Sequence, residues 1–206
     1  MLSRVLGILI ASDFLLQAAW GLIGPIFALF ITGQIEGGSI QMVGLAVATF
    51  WLTKSSVQPF LAHYLDLRKG EKDDFKFLVI GMYAASFVPL GFFFSTNLLH
   101  IFLLQILHGA AMAMVFPSWA GIFTRHITKG WEAFSWSIES TGLGFAAGFA
   151  AALGGLLAGS LGFQAVFILV SVIGFFAATI LLLARNQIFP HDGIDKPLPP
   201  KEKLVH

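Results

Sequence analysis

The chain contains no cysteine. That absence excludes disulfide scaffolds, thiolate metal centres and a cysteine nucleophile, though it names no compartment. Charge is also scarce. Asp, Glu, Lys and Arg make up 11% of the chain, where a soluble domain carries about a quarter. The net charge of +1 is not gathered into a basic patch, so no nucleic-acid partner is expected. No Gly-x-x-x-x-Gly-Lys-Ser/Thr loop is present to cradle nucleotide phosphates, and no His-Glu-x-x-His pair to hold zinc. No Gly-x-Ser-Gly nucleophile with a partnered His occurs either, and Ser55 beside Lys54 points to a different helix face. An enzyme is therefore not expected, nor a cofactor or a metal site.

Apolar sequence is abundant instead. Hydrophobic residues make up 57% of the 206 positions, with 22 Phe and 22 Gly, and the mean hydropathy is +0.84. Gly-rich, Phe-rich sequence suits packed membrane helices, because small residues let backbones approach in lipid. Stretches near the length that crosses a bilayer occur at residues 5–31, 40–64, 77–94, 98–124, 133–158 and 163–183. The first is long enough to tilt or kink, and Gly24-Pro25 supplies a reason. Asp13 interrupts its apolar run, so an uncleaved span is expected there rather than a signal peptide.

The connections alternate in charge. Residues 33–39, 95–97 and 159–162 hold no Lys or Arg. The loop 66–76 holds Arg68, Lys69, Lys72 and Lys76, and 125–131 holds Arg125 and Lys129. Arg4, Arg185, Lys196, Lys201 and Lys203 occupy the ends. The positive-inside rule then places both termini and both basic loops in the cytoplasm of a multi-pass plasma (inner) membrane protein. Residues 1–185 are expected to form the transmembrane domain, and 186–206, polar and Pro-rich, a disordered cytoplasmic tail.

One lysine escapes this pattern. Lys54 lies inside the second span, and Asp13, His108 and Glu139 lie inside the first, fourth and fifth. At roughly 1.5 Å per residue, Asp13 and Glu139 sit about 12 Å from the cytoplasmic starts of their helices, and Lys54 about 15 Å from the cytoplasmic end of its own. His108 lies about 13 Å below the outer start of the fourth. The four share a layer near the midplane. A charge there costs several kcal/mol unless it faces the bundle interior, a partner or water. Gln17 lies one turn from Asp13, Gln105 lines the face of His108, and Ser135 and Ser140 flank Glu139. Two readings stand. In one, Asp13, Glu139 and His108 carry protons or cations, with Lys54 as counter-charge or substrate anchor. In the other, Lys54 pairs with Asp13 or with Glu139 to fix helix packing, and His108 is a buried hydrogen-bonded side chain. The carboxylate that does not pair with Lys54 is the better proton carrier. On the fifth span, Gly144 and Gly148, then Gly154-Gly155, Ala158 and Gly159, are expected to be close-approach faces for neighbouring helices.

The stretch from Ala62 to Lys72 resembles the signature of the major facilitator superfamily of transporters, Gly-x-x-x-Asp-basic-x-Gly-basic-basic. It keeps Asp66, Arg68 and Gly70, with Ala62 for the first Gly and one extra residue between Asp66 and Gly70. Gln105-Ile106-Leu107-His108-Gly109 is similar to the family's Arg-x-x-Gln-Gly stretch, with Gln105 in place of Arg. Ala150-Ala151 stand where an antiporter-type Gly-Pro pair would precede Gly154-Gly155. Asp13 precedes Pro25 by the same spacing as Gln105 precedes Pro117. The resemblance implies an all-α domain of six transmembrane helices, built as two inverted three-helix repeats and equal to one half of a transporter, the N-terminal one. It implies a small-molecule substrate bound around Asp13, Gln17, Lys54, Gln105, His108 and Glu139, and a cytoplasmic latch at Asp66. A homodimer, or pairing with a second six-helix half, would close the polar face that one half exposes to lipid. Proton coupling is the expected driving force, since no nucleotide motif is present. The competing expectation is a non-transporting scaffold, sensor or assembly subunit derived from a transporter half.

Overall fold

Lipid offers no partner to a backbone N–H or C=O, so a spanning chain must satisfy them within its own helices. The computed structural model describes residues 3–67 and 71–188, and all the secondary elements among them are helical apart from one isolated bridge between Glu36 and Asn97. The helices are α1 (Arg4–Ile23), α2 (Phe27–Gln34), α3 (Ile40–Leu67), α4 (Glu71–Phe93), α5 (Leu98–His126), α6 (Glu132–Leu161), α7 (Phe163–Leu183) and the short α8 (Arg185–Ile188). Ser3 caps α1 by accepting from the Leu6 N–H at 3.2 Å, and Asn97 caps α5 by accepting from the His100 N–H at 3.2 Å.

Several boundaries differ from the hydropathy reading. The first span breaks at Gly24-Pro25 into α1 and α2, because Pro25 has no N–H to continue the ladder. The third begins at Glu71 rather than near residue 77, so most of the expected loop 66–76 is helix. Glu71, Asp73 and Asp74 are polar, which hides them from a hydropathy scan, yet acidic residues suit the positive end of a helix. At the other end, 186–188 belong to α8 and Ile188 is buried, so the tail does not begin at 186. The rest of the expected tail lies outside the described residues.

Five stretches among the described residues are long and apolar enough to cross a membrane: Arg4–Gln34, Glu71–Phe93, Leu98–His126, Glu132–Leu161 and Phe163–Leu183. The expected second span corresponds to α3, whose 28 residues give ample length. Its apolarity is diluted by Gln41, Lys54, Gln58 and His63.

Packing follows an open ring. The helices touch in the order α3, α5, α4, α7, α1, α6, with α6 returning to α7 and α1 reaching α5 across the middle. The ring stays open between α6 and α3. These two helices are the least enclosed: α3 buries only Ala46 and Leu65, and α6 only Ser135, Glu139, Ala146, Ala150 and Gly154. Two apolar clusters fill the bundle. One joins Leu6, Leu9 and Leu16 to Met82, Trp119 and Phe123. The other gathers Phe27, Phe30, Phe92 and Phe167, with the Phe30 and Phe167 rings edge to face at 4.8 Å.

Glycine sets the closest crossings. A methyl group on Gly154 would collide with the Leu22 backbone of α1, and one on Gly109 would lie 2.7 Å from the Phe50 carbonyl of α3. The expected stripe on α6 is otherwise different: Gly144, Gly148, Gly155 and Gly159 have open space around them rather than a neighbouring helix. Gly154→Ala should therefore lower stability by about 1–3 kcal/mol through overpacking. Gly155→Ala should change it by less than about 1 kcal/mol, since only helix propensity is altered. Melting temperatures in one mild detergent would compare the pair, and equal losses would contradict the α1–α6 crossing.

Candidate functional site

The α1–α6 crossing brings two carboxyl groups together. Asp13 is 8% exposed and Glu139 is 4% exposed. The Glu139 side chain faces Asp13, and Gln17 lies beside Asp13 one turn along α1. Neither Glu139 oxygen touches solvent or has a hydrogen-bond partner of good geometry. A buried carboxyl left in that condition is costly, and such groups call for an explanation in function or in an absent ligand.

Lys54 does not complete the expected ion pair. Among the described residues no carboxylate bonds to it directly. Its Nζ lies 5.0 Å from the Trp51 ring centroid and 5.3 Å from that of Phe116, a cation held between two aromatic faces. Asp13 is the carboxylate within its electrostatic reach. Sequence spacing could not show this, because Phe116 comes from α5 and only the fold sets it opposite Trp51.

His108 is packed between aromatic rings. Trp20 stacks on it at 3.6 Å and 11°, and Phe50 lies at 4.4 Å. Gln105 donates from Nε2 to the Ala46 carbonyl at 3.2 Å, tying α5 to α3. Both side chains line a cavity of about 180 Å³ with Trp20, Phe27, Phe50 and Phe92. A second polar tie crosses the bundle where the Trp119 Nε1–H donates to the Leu9 carbonyl at 3.3 Å. The six candidate residues thus form two neighbouring groups. Asp13, Gln17, Glu139 and the nearby Lys54 make the charged one; Gln105 and His108 belong to the aromatic cavity.

At the end of the bundle that carries the basic loops, an ion-pair cluster joins α4 to α5. Arg125 donates from Nε to Glu71 at 2.8 Å and from Nη2 to Asp74, and the His126 ring lies 3.7 Å from Glu71. This cluster was missed in the sequence, since a hydropathy reading leaves 71–76 in a loop. The acidic run Glu71, Asp73, Asp74 was the signal that could have found it. Asp66 is exposed at the end of α3 and within electrostatic reach of Asp74. Arg68 and Gly70 lie outside the described residues.

A bundle of helices long and apolar enough to cross a membrane, with ionisable groups buried between them, is the architecture of a multi-pass membrane protein. The chain matches the profile of the Major Facilitator Superfamily over residues 9–204, and it belongs to that family. Its members are membrane transporters rather than enzymes. The fold is shared with part of a solved POT-family transporter, PepTSo, at a TM-score of 0.65 and 15% identity. The match takes in 90% of this chain and 38% of that one, so the chain spans less than half the length of that structure. No curated protein matches the chain.

Two substitutions should move stability in opposite directions. Glu139→Met removes one of two facing buried carboxyls, the one without a hydrogen bond of good geometry, and should raise the melting temperature by a few degrees. Arg125→Met strands Asp74, only 6% exposed, and should lower it. Calorimetry or a fluorescence melt in mild detergent measures both, and a stabilising Arg125→Met would count against the cluster.

Proposed function

We propose that the chain is one half of a proton-coupled secondary carrier for a small solute, with the solute site in the layer of Asp13, Lys54, His108 and Glu139. The observation that carries this reading is the Glu139 carboxyl, buried, without a hydrogen bond of good geometry and facing Asp13. Two carboxylates enclosed together repel, and one proton shared between them removes that repulsion. A proton is thus the ligand this pair is best suited to take and release. Lys54, held by aromatic rings and in direct contact with no carboxylate among the described residues, keeps its charge available to an anionic group on a solute. Gln105 and the Trp20–His108–Phe50 stack supply the wall of an organic-solute cavity.

The open ring supports a partner. A second copy, or a second six-helix half, related by a two-fold axis along the membrane normal, would set α6 of one unit against α3 of the other. Rocking of the two units would expose the enclosed layer alternately to either side. The basic ends of α4, α5 and α7 gather at one end of the bundle, which supports a cytoplasmic orientation in the plasma (inner) membrane for that end and for both termini.

Infrared titration of the reconstituted protein tests the proton site without a known solute. A protonated-carboxyl band that grows on acidification should be lost in Glu139→Gln and persist in Glu132→Gln, an exposed control. A band indifferent to Glu139 would refute the assignment. The absence of native cysteine makes the pairing testable as well. Leu52 on α3 is 68% exposed, and Gly148 on α6 faces open space. Oxidation of Leu52→Cys/Gly148→Cys in membranes should give a covalent dimer that neither single variant forms. No crosslink would favour a different chain as the second half.

A further inference from the structure

The aromatic cavity beside the charged layer has a size and a wall that select for shape. Its volume is about 180 Å³, and an apolar cavity of roughly 150 Å³ takes one benzene molecule. We propose that the solute carries a single aromatic ring and that this cavity takes it, a reading that rests on the carrier proposed above.

The cavity has a closed end and an open one. Phe27, Phe92, Gln105 and His108 are buried, whereas Val47 is 39% exposed and Gly24 is exposed on the facing element. The mouth therefore opens between α1 and α3, which are joined mainly through α5. A ring entering there passes Trp20 on one side and Phe50 on the other.

The wall is richer in rings than apolar burial alone requires. Four aromatic side chains and an imidazole stand among its nine residues. Phe27 and Phe92 are tilted by 54° with centroids 5.5 Å apart, and Phe50 is tilted by 32° against His108. Faces and edges are thus both presented. A planar ring can meet them with its own positive edge and negative face, while a saturated ring of like size gains only burial. Polar groups are few. Gln105 is held to the Ala46 carbonyl and His108 by its stack on Trp20, so both are fixed where one substituent of a ring could bond to them.

Register along the helices links this cavity to the charged layer. On α1, Trp20 follows Asp13 by seven residues, two turns along one face, or about 10 Å. On α3, Lys54 follows Phe50 by one turn, again on one face. The ring would sit on the outer side of Asp13 and Lys54, and the rest of the solute would extend toward them. Selection for the ring depends on the wall and not on the charge of that extension.

The absence of native cysteine allows the mouth to be probed by thiol protection. The full chain bearing Val47→Cys is treated with N-ethylmaleimide in mild detergent, and modification is followed by intact mass. Three neutral alcohols with equal numbers of carbons serve as probes. Benzyl alcohol should slow modification by roughly fivefold at a concentration where cyclohexylmethanol slows it by less than about twofold, since only the planar ring meets the wall face and edge. Heptan-1-ol should have no effect. Val172→Cys, at a 58% exposed position on α7, should be modified at one rate throughout. Equal protection by the two cyclic alcohols would overturn the proposal, as would equal slowing at Val172→Cys, which would report on the detergent and not on the cavity. The Glu139 infrared band reads the proton site separately. Ring-selective protection without that band would refute the coupling and leave the ring site standing; the band without ring-selective protection would overturn the ring site alone.

Discussion

The crossing of α1 and α6 sets the terms for the rest of the bundle. Gly154 lies against the Leu22 backbone, and a methyl on Gly21 would meet Ala150 at 2.8 Å, so the two helices pack with almost no side chain between them. That closeness lies toward the C-terminal ends of α1 and α6, and Asp13 and Glu139 meet nearer their N-terminal ends. Without it, each carboxyl would face lipid or a widening gap, at a cost of several kcal/mol. The crossing therefore determines both where the helices stop sliding and where an enclosed acidic site can exist.

The consequences travel round the ring. Because α1 is occupied by α6 and α7, α5 holds α3 through the Gln105–Ala46 bond and the close approach at Gly109. α3 and α6 become the two free edges. Each keeps the polar or small residues that a lipid-exposed helix would not need: Lys54 on α3, and Gly144, Gly148, Gly155 and Gly159 on α6. A face of small residues with nothing packed against it fits another helix better than it fits acyl chains, since backbone approach is what small residues permit.

The helical stretches and the break at Gly24-Pro25 were legible in the sequence, because each is a property of one helix. What was not legible depends on which face of a helix meets which neighbour. In a soluble bundle the polar face reports that orientation. Here lipid and core are both apolar, so the rotation of α6 leaves no trace in its pattern, and Gly144 and Gly148 could not be told from Gly154. The same limit hid the pairing of Asp13 with Glu139 and the aromatic partners of Lys54. The Arg125–Glu71–Asp74 cluster was hidden differently: a helical turn that leaves the membrane is polar, and polarity reads as loop.

Lys54 shows why the distinction between a pair and a cage matters. A direct bond to Asp13 would have neutralised both groups and left Glu139 with a neutral neighbour, removing the reason for a shared proton. Aromatic faces stabilise a cation by about 0.5–2 kcal/mol, enough to hold an ammonium group but less than a full ion pair returns. The cage thus keeps a positive charge near the acidic pair without discharging it. In the carrier proposed above, protonating the pair removes the negative charge opposing Lys54 and leaves the lysine as the dominant field in the layer. An anionic solute would then enter a site made attractive by the proton, and loss of the proton would weaken its hold. Coupling of this kind requires only that Asp13 be within electrostatic reach of Lys54 and out of bonding contact with it.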